Sequence, residues 1–176
     1  VYANKHQRFE FNGYTNIRLN EKWSTGILTH LSHLSNKTDD NGDGFMDEPL
    51  STRLQAMNRW KYVGGNGHMA QAGINVLYED RLGGQTGFER DMNPSLLNPY
   101  GINIKTNRFE GFFKTGYVFP NGRTAVAWLS NMSLHETNSF YGLTDYDADE
   151  TRFYGSAVFT RDLDEHGIHT INTGFS

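Results

Sequence analysis

The chain has 176 residues with no cysteine, 19 glycines, 4 prolines, and 14% aromatic against 36% hydrophobic residues. Without cysteine, a disulfide-stapled scaffold and a thiolate metal site are excluded, and at a mean hydropathy of -0.65 no segment offers the roughly 20 apolar residues of a membrane helix. The formal net charge of -4 gives no reason to invoke nucleic acid, whereas a transmembrane β-barrel stays open, because its alternating strands average to the hydropathy of a soluble protein.

In chain order, Val1-Tyr2-Ala3-Asn4 reads as the end of a strand whose beginning is missing. Residues 8–19 follow, with Phe9, Phe11, Ile17 and Leu19 on one parity and Arg8, Glu10, Asn12, Asn16 and Arg18 on the other. A period of two predicts a strand with one apolar face. After the short turn Asn20-Glu21-Lys22, residues 22–34 alternate less cleanly. They place His30 and His33 on opposite faces, which makes the two histidines poor partners for one metal.

A long polar stretch, 35–51, holds the sharpest local motif: Asp39-Asp40-Asn41-Gly42-Asp43-Gly44-Phe45-Met46-Asp47. Oxygen donors at alternate positions let one loop wrap a hard cation, and the glycine after the third donor permits the return bend. Calcium is the expected ion, with Asp39, Asn41, Asp43 and Asp47 as side-chain ligands and the Phe45 carbonyl between them. The position that carries glutamate in an EF-hand is Leu50 here, so a further oxygen must complete the shell. Glu48, water, or acids at 79–91 and 145–150 are the candidates.

Residues 52–62 return to clean alternation, Leu54, Ala56, Trp60 and Tyr62 opposing Arg53, Gln55, Met57, Arg59 and Lys61. The glycine-rich turn 63–67 leads to a strand over 68–78, where Ala70, Ala72, Ile74, Val76 and Tyr78 oppose Gln71, Gly73 and Asn75. Another long polar stretch spans 79–104. Residues 108–119 gather Phe109, Phe113, Tyr117 and Phe119 opposite Arg108, Glu110 and Lys114. The turn Pro120-Asn121-Gly122 precedes 123–135, in which Val126, Trp128, Met132 and Leu134 oppose Arg123, Asn131 and His135. A third long stretch, 137–150, is followed by weaker strands at 151–162 and 167–176 about the turn 163–167.

Short turns thus alternate with long polar connections, and Trp23, Trp60, Tyr62, Tyr117 and Phe119 lie near the short turns. Both features predict an antiparallel up-and-down β-barrel in the outer membrane, with periplasmic turns, extracellular loops and an aromatic girdle. A soluble sandwich also alternates. Against it stand strands longer than the usual ~5 to 6 residues and a charged rather than merely polar second face. No serine-hydrolase elbow, phosphate loop or zinc-protease helix occurs, so no enzymatic activity is expected.

The runs Leu19-Asn20-Glu21-Lys22-Trp23-Ser24-Thr25, Asp39 to Pro49, and Asn58-Arg59-Trp60-Lys61-Tyr62 resemble TonB-dependent outer-membrane receptors of the Bacteroidetes type. The resemblance implies about eight strands of a 22-stranded barrel, whose plug domain is absent from these residues. It implies TonB-energised uptake of a scarce nutrient (cobalamin, a ferric siderophore or haem) in the outer membrane of a Gram-negative bacterium. The implied partners are TonB through the missing plug region, the nutrient, a surface-exposed lipoprotein and outer-membrane lipid. Tyr100, Phe140, Tyr141 and Tyr146 are the expected substrate contacts near the ion. Arg53, Arg59, Lys61, Arg108, Glu110 and Arg123 are expected to face the plug along the lumen. A complete eight-stranded barrel and a soluble calcium-binding β-protein of the adhesin type are the alternatives.

Overall fold

The computed structural model describes residues 1–164 and 168–176. They form one antiparallel sheet with no helix: β1 Tyr2–Ala3, β2 Arg8–Arg18, β3 Trp23–Leu34, β4 Leu50–Val63, β5 His68–Gly84, β6 Gly101–Val118, β7 Thr124–Tyr141, β8 Thr144–Asp145, β9 Ala148–Asp162 and β10 Thr170–Phe175. Neighbours in sequence are neighbours in the sheet, in the order β1-β2-β3-β4-β5-β6-β7-β9-β10, with β8 a short return against β7. Eight of these strands have six residues or more, the number read from the alternation. Among the described residues β1 and β10 do not pair with each other, so the sheet is open.

The registers carry the polarity from strand to strand. One continuous row on the apolar face reads Ile17, Thr25, Trp60, Ala72, Phe113, Ser130. Next to it on the opposite face runs Arg18, Ser24, Lys61, Gln71, Lys114, Leu129. Because side chains alternate across a strand, the registers keep the apolar parity of each strand on one face, with exceptions such as Asn58 on that face and Leu129 on the other, and a one-residue slip would invert the order. The polar face is concave: a single cavity of about 570 Å³ is lined from β2 across to β7, by Tyr14, His30, Gln55, Asn75, Glu110 and Asn131 among others.

Tight turns close one end. Asn20 Oδ1 accepts the amides of Lys22 and Trp23, each at 2.9 Å, and Asn121 Oδ1 accepts those of Arg123 and Thr124. Gly67, at φ 85°, lies so close to Val118 that a Cβ would come within 2.2 Å of its carbonyl oxygen. Of the expected fourth turn, residues 165–167 lie outside the described residues.

At the other end the strands run past the point where alternation fades. Residues 79–84, 101–104 and 137–141, expected in loops, are strand. Backbone pairing continues there between polar residues such as Asp80 and Lys105, or Glu79 and Thr106. Hydrogen bonds of the ladder do not require apolar contrast, and only that contrast makes a period of two visible. The connections that remain are 35–49, 85–100 and a short excursion around β8.

The buried apolar side chains lie at this loop end, Leu34 on the polar-parity face and Leu82 on the apolar one. Leu34, Leu82 and Phe88 are the only buried hydrophobic residues among those described, Leu82 at 2% and Phe88 at 1% exposure. The Phe88 ring meets Phe140 edge-on at 6.0 Å and fills the space where a Cβ on Gly101 would stand, 2.4 Å away. The 85–100 loop is thereby folded onto the apolar-parity face above the strands. Phe88→Ala should weaken this closure by about 3 kcal/mol. The rate of tryptic cleavage after Arg90 would then rise roughly a hundredfold, and an unchanged rate would mean that Phe88 does not hold the loop.

Candidate functional site

The 35–49 loop, between β3 and β4, folds by closing its own carboxylates on backbone amides. Asp39 Oδ1 accepts the Asp43 amide at 3.1 Å and Asp39 Oδ2 the Gly44 amide at 2.9 Å. Asp43 Oδ1 accepts Phe45 N at 2.8 Å and Asp47 Oδ2 accepts Asp40 N at 2.7 Å, while Asn41 Oδ1 shares the Asp43 amide. Gly42 and Gly44 take φ of 72° and 84°, the left-handed conformation that glycine adopts without a Cβ penalty. The structure therefore brings Asp39, Asn41, Asp43, Phe45 and Asp47 into one turn of hard oxygen donors. Among the described residues no group of three or more His, Asp or Glu side chains is arranged to hold a metal; the three carboxylates of this turn, Asp39, Asp43 and Asp47, are each turned onto backbone amides.

Five of the acids at 79–91 and 145–150, and Glu48, have protein partners, Asp80 among them through Arg90. Glu79 pairs with Arg81 at 2.7 Å and with Arg53 at 3.9 Å. Glu89 pairs with Lys37 at 2.7 Å, Glu150 with Arg152, and Asp147 accepts the Ser139 amide at 3.0 Å. Glu48 is reached by Arg8 at 3.5 Å.

The loop is joined to its neighbours by backbone bonds. Phe45 bridges Gln85, Met46 N donates to Gly84 O at 2.9 Å and Thr86 N to Gly44 O at 2.9 Å. Gln85 in turn exchanges bonds with Tyr100, through its amide to the Tyr100 carbonyl at 2.8 Å and through its Oε1 from the Tyr100 amide at 2.6 Å. The Tyr100 ring lies over Gly142, where a Cβ would be 2.7 Å from it. Phe140 packs on Phe88, Tyr141 is exposed and paired with Ile102, and the Tyr146 amide donates to Ser139 O at 2.7 Å. The four aromatics thus share one rim with the Asp39 loop.

Two clamps at this rim had no signal in the sequence. Lys37 Nζ donates to Thr86 O at 2.9 Å, Phe88 O at 2.7 Å and Glu89 Oε1 at 2.7 Å. Arg90 Nη1 meets Asp80 Oδ2 at 2.5 Å, and Asn103 Nδ2 meets Asp80 Oδ1 at 3.1 Å. Their partners lie 10 to 52 positions away in the chain, beyond the reach of any local pattern.

Along the concave face, Arg53, Arg59, Lys61, Arg108 and Glu110 share one side. Arg108 pairs with Glu110 at 2.6 Å, and Asn75 Nδ2 donates to Glu110 at 2.8 Å. Arg123 is not in these rows; it stands in the turn before β7, its carbonyl accepting the Asp162 amide at 2.8 Å. His30 bonds Asn12 at 2.7 Å on the concave side and His33 bonds Thr52 at 3.0 Å on the other.

No protein-family model, curated protein or solved structure matches the chain.

Asp80 stands one row beyond Tyr78, outside the apolar stripe. Burial alone would raise its carboxyl, but hydrogen bonds from Arg90 and Asn103 and the charges of Arg90 and Lys105 outweigh that and hold it below its ordinary value of 3.8. Because the folded value is depressed, the tie to Arg90 is fully present above the ordinary value and is lost as pH falls through the lower one. A spin label on Leu97→Cys, unique in a chain without cysteine, should stay ordered from neutral pH down to about pH 4 and gain mobility below it. Adding Asp80→Asn should mobilise the label at every pH; equal mobility at neutral pH would show that Asp80 does not tie the loop.

Proposed function

We propose that this chain forms part of the wall of an outer-membrane β-barrel receptor of the TonB-dependent type, which imports a scarce nutrient such as cobalamin, a ferric siderophore or haem. The observation that carries this reading is the exposed apolar face. Leu54, Ile74, Phe109 and Trp128, from four different strands, are each 39–50% exposed, although a soluble sheet of this size buries such a face in its core. On β5 that face runs from Ala70 to Tyr78 before Asp80 ends it. Eight steps of about 3.4 Å make about 27 Å along the strand, or about 21 Å along the axis at a tilt of about 40°, close to the ~25 Å apolar band of such barrels. Trp23 and Tyr62, 4.9 Å apart, and Tyr117 and Phe119, 5.1 Å apart, lie at the turn end, where an aromatic girdle belongs. In this reading the two edges of the sheet, β1 and β10, would be continued by further strands around a plug. The closing and energising partners in this reading are that plug, TonB acting on it, and a surface lipoprotein over the loops.

Calcium fits the 35–49 loop by donor chemistry. Asp39, Asn41, Asp43, Asp47 and the Phe45 carbonyl are hard oxygens at alternate positions on a backbone already bent by Gly42 and Gly44. Bound there, the ion would neutralise carboxylates that repel one another and stabilise a rim shared with Tyr100, Phe140, Tyr141 and Tyr146, lowering the ordering cost of ligand capture.

For membrane insertion, an environment-sensitive fluorophore on Ile74→Cys in lipid vesicles should be quenched by brominated acyl chains. Emission characteristic of water, with no quenching, would refute a lipid-facing apolar stripe. For the ion, calorimetric titration should give saturable calcium binding that Asp43→Ala abolishes, and equal binding by that variant would remove the site.

A further inference from the structure

We infer that the concave face carries an anion-binding subsite built on Arg59 and Lys114, so that the solute moving along it bears a carboxylate or phosphate group; this rests on the barrel reading above. Charge on this face is segregated along the strands. Toward the loops its cations have acid partners: Glu10 for Arg8 at 2.8 Å, Glu110 for Arg108, and Glu79 shared by Arg81 and Arg53. Toward the turns it carries Arg18, Arg59, Lys61 and Lys114, and among the described residues none of these four is in an ion pair. The row Arg18, Ser24, Lys61, Gln71, Lys114, Leu129, Ser156 contains three cations on alternate strands, about 10 Å apart, and no acid.

Arg59 lies one row nearer the loops, and between it and Phe112 the intervening strand has Gly73. A Cβ at Gly73 would come within 2.6 Å of the Phe112 ring; the glycine lets that ring lie across the strand toward Arg59. Lys114 Nζ is 5.8 Å from the centre of the same ring. The result is a cavity of about 450 Å³ walled by Arg59, Gln71, Phe112, Lys114, Asn131 and Tyr154. Two cations without counter-charge, two amide side chains and two aromatic walls match a compact anion: the guanidinium fork takes two oxygens of a carboxylate or phosphate, the ammonium adds a point charge, and the amides donate. The size suits a small solute rather than a folded partner. An acidic polypeptide segment filling the lumen is the competing occupant.

The test uses the whole chain folded in phosphatidylcholine vesicles, titrated calorimetrically with citrate, pyrophosphate, glucose and a hexaglutamate peptide. Citrate or pyrophosphate should bind saturably and glucose should not. Affinity should fall roughly tenfold or more in Arg59→Gln/Lys114→Gln, the order expected for lost charge-assisted hydrogen bonds. It should be unchanged in Arg8→Gln, where the cation is already paired. Absence of saturable anion binding, full affinity in the double variant, or binding of hexaglutamate alone overturns the subsite. The Ile74 fluorophore separates the two levels: lipid contact at Ile74 without anion binding removes only the subsite, and water at Ile74 removes the barrel reading with it.

Discussion

The registers of neighbouring strands are the constraint on which the rest of the structure depends. From β2 to β9 the pairing advances without a slip through six hairpins or loops, and it keeps the two parities apart: Ile17 with Thr25, Trp60, Ala72 and Phe113 on one face, Arg18 with Ser24, Lys61, Gln71 and Lys114 on the other. A slip of one residue at any pair would put charged groups of one strand among aromatics of the next. Lateral side-chain bonds reinforce the register where polar residues meet, as between Asn12 and His30 or Asn75 and Glu110. Since no second layer covers the sheet among the described residues, these cross-strand pairs take the role that a hydrophobic core has elsewhere.

The loop end is organised differently. There the apolar stripe has stopped, and order comes from a few interactions that cross long stretches of chain. Phe88 is covered by Phe140 and the backbone of Gly101, Lys37 binds two carbonyls and Glu89, and Arg90 binds Asp80. Lys37 satisfies carbonyls of a loop that no ladder reaches, and burial of such groups without a donor is costly. Together these contacts tie the Asp39 loop, the 85–100 loop and the end of β7 into one rim, which is why expected contact residues as distant in sequence as Phe45 and Tyr141 lie on the same side of the sheet.

Legibility in the sequence followed the same division. Strands bearing the stripe, such as 52–62 and 68–78, were readable to within a few residues, because a period of two with charged and aromatic parities has no helical counterpart. Their continuations, 79–84 and 137–141, were not, since Glu79, Asp80 and Thr137 look the same in a polar strand as in a loop. The Asp39 motif announced its own turn because the side-chain bonds that bend it are local, within two to seven residues. Lys37 and Arg90 were invisible for the opposite reason. Arg123 belonged by parity to the charged set, yet the Asn121 turn takes it out of the rows, an effect of turn chemistry that alternation cannot report.

The closure of the Asp39 loop also bears on what a cation could change. Asp39, Asp43 and Asp47 each accept backbone amides, and such bonds hold the bent backbone. The loop is further held from outside by the Phe45–Gln85 bridge and by the Met46 and Thr86 amides. A cation arriving at this loop therefore meets a shape largely present beforehand, and its main effect is on charge: five carboxylates, Asp39, Asp40, Asp43, Asp47 and Glu48, stand within ten residues at the rim. Neutralising part of that charge lowers the repulsion that loosens the bridge to Gln85, and Gln85 is bonded directly to Tyr100. In the proposed receptor, ion binding and the position of Tyr100 would thus be coupled through two backbone segments rather than through a conformational change of the barrel wall.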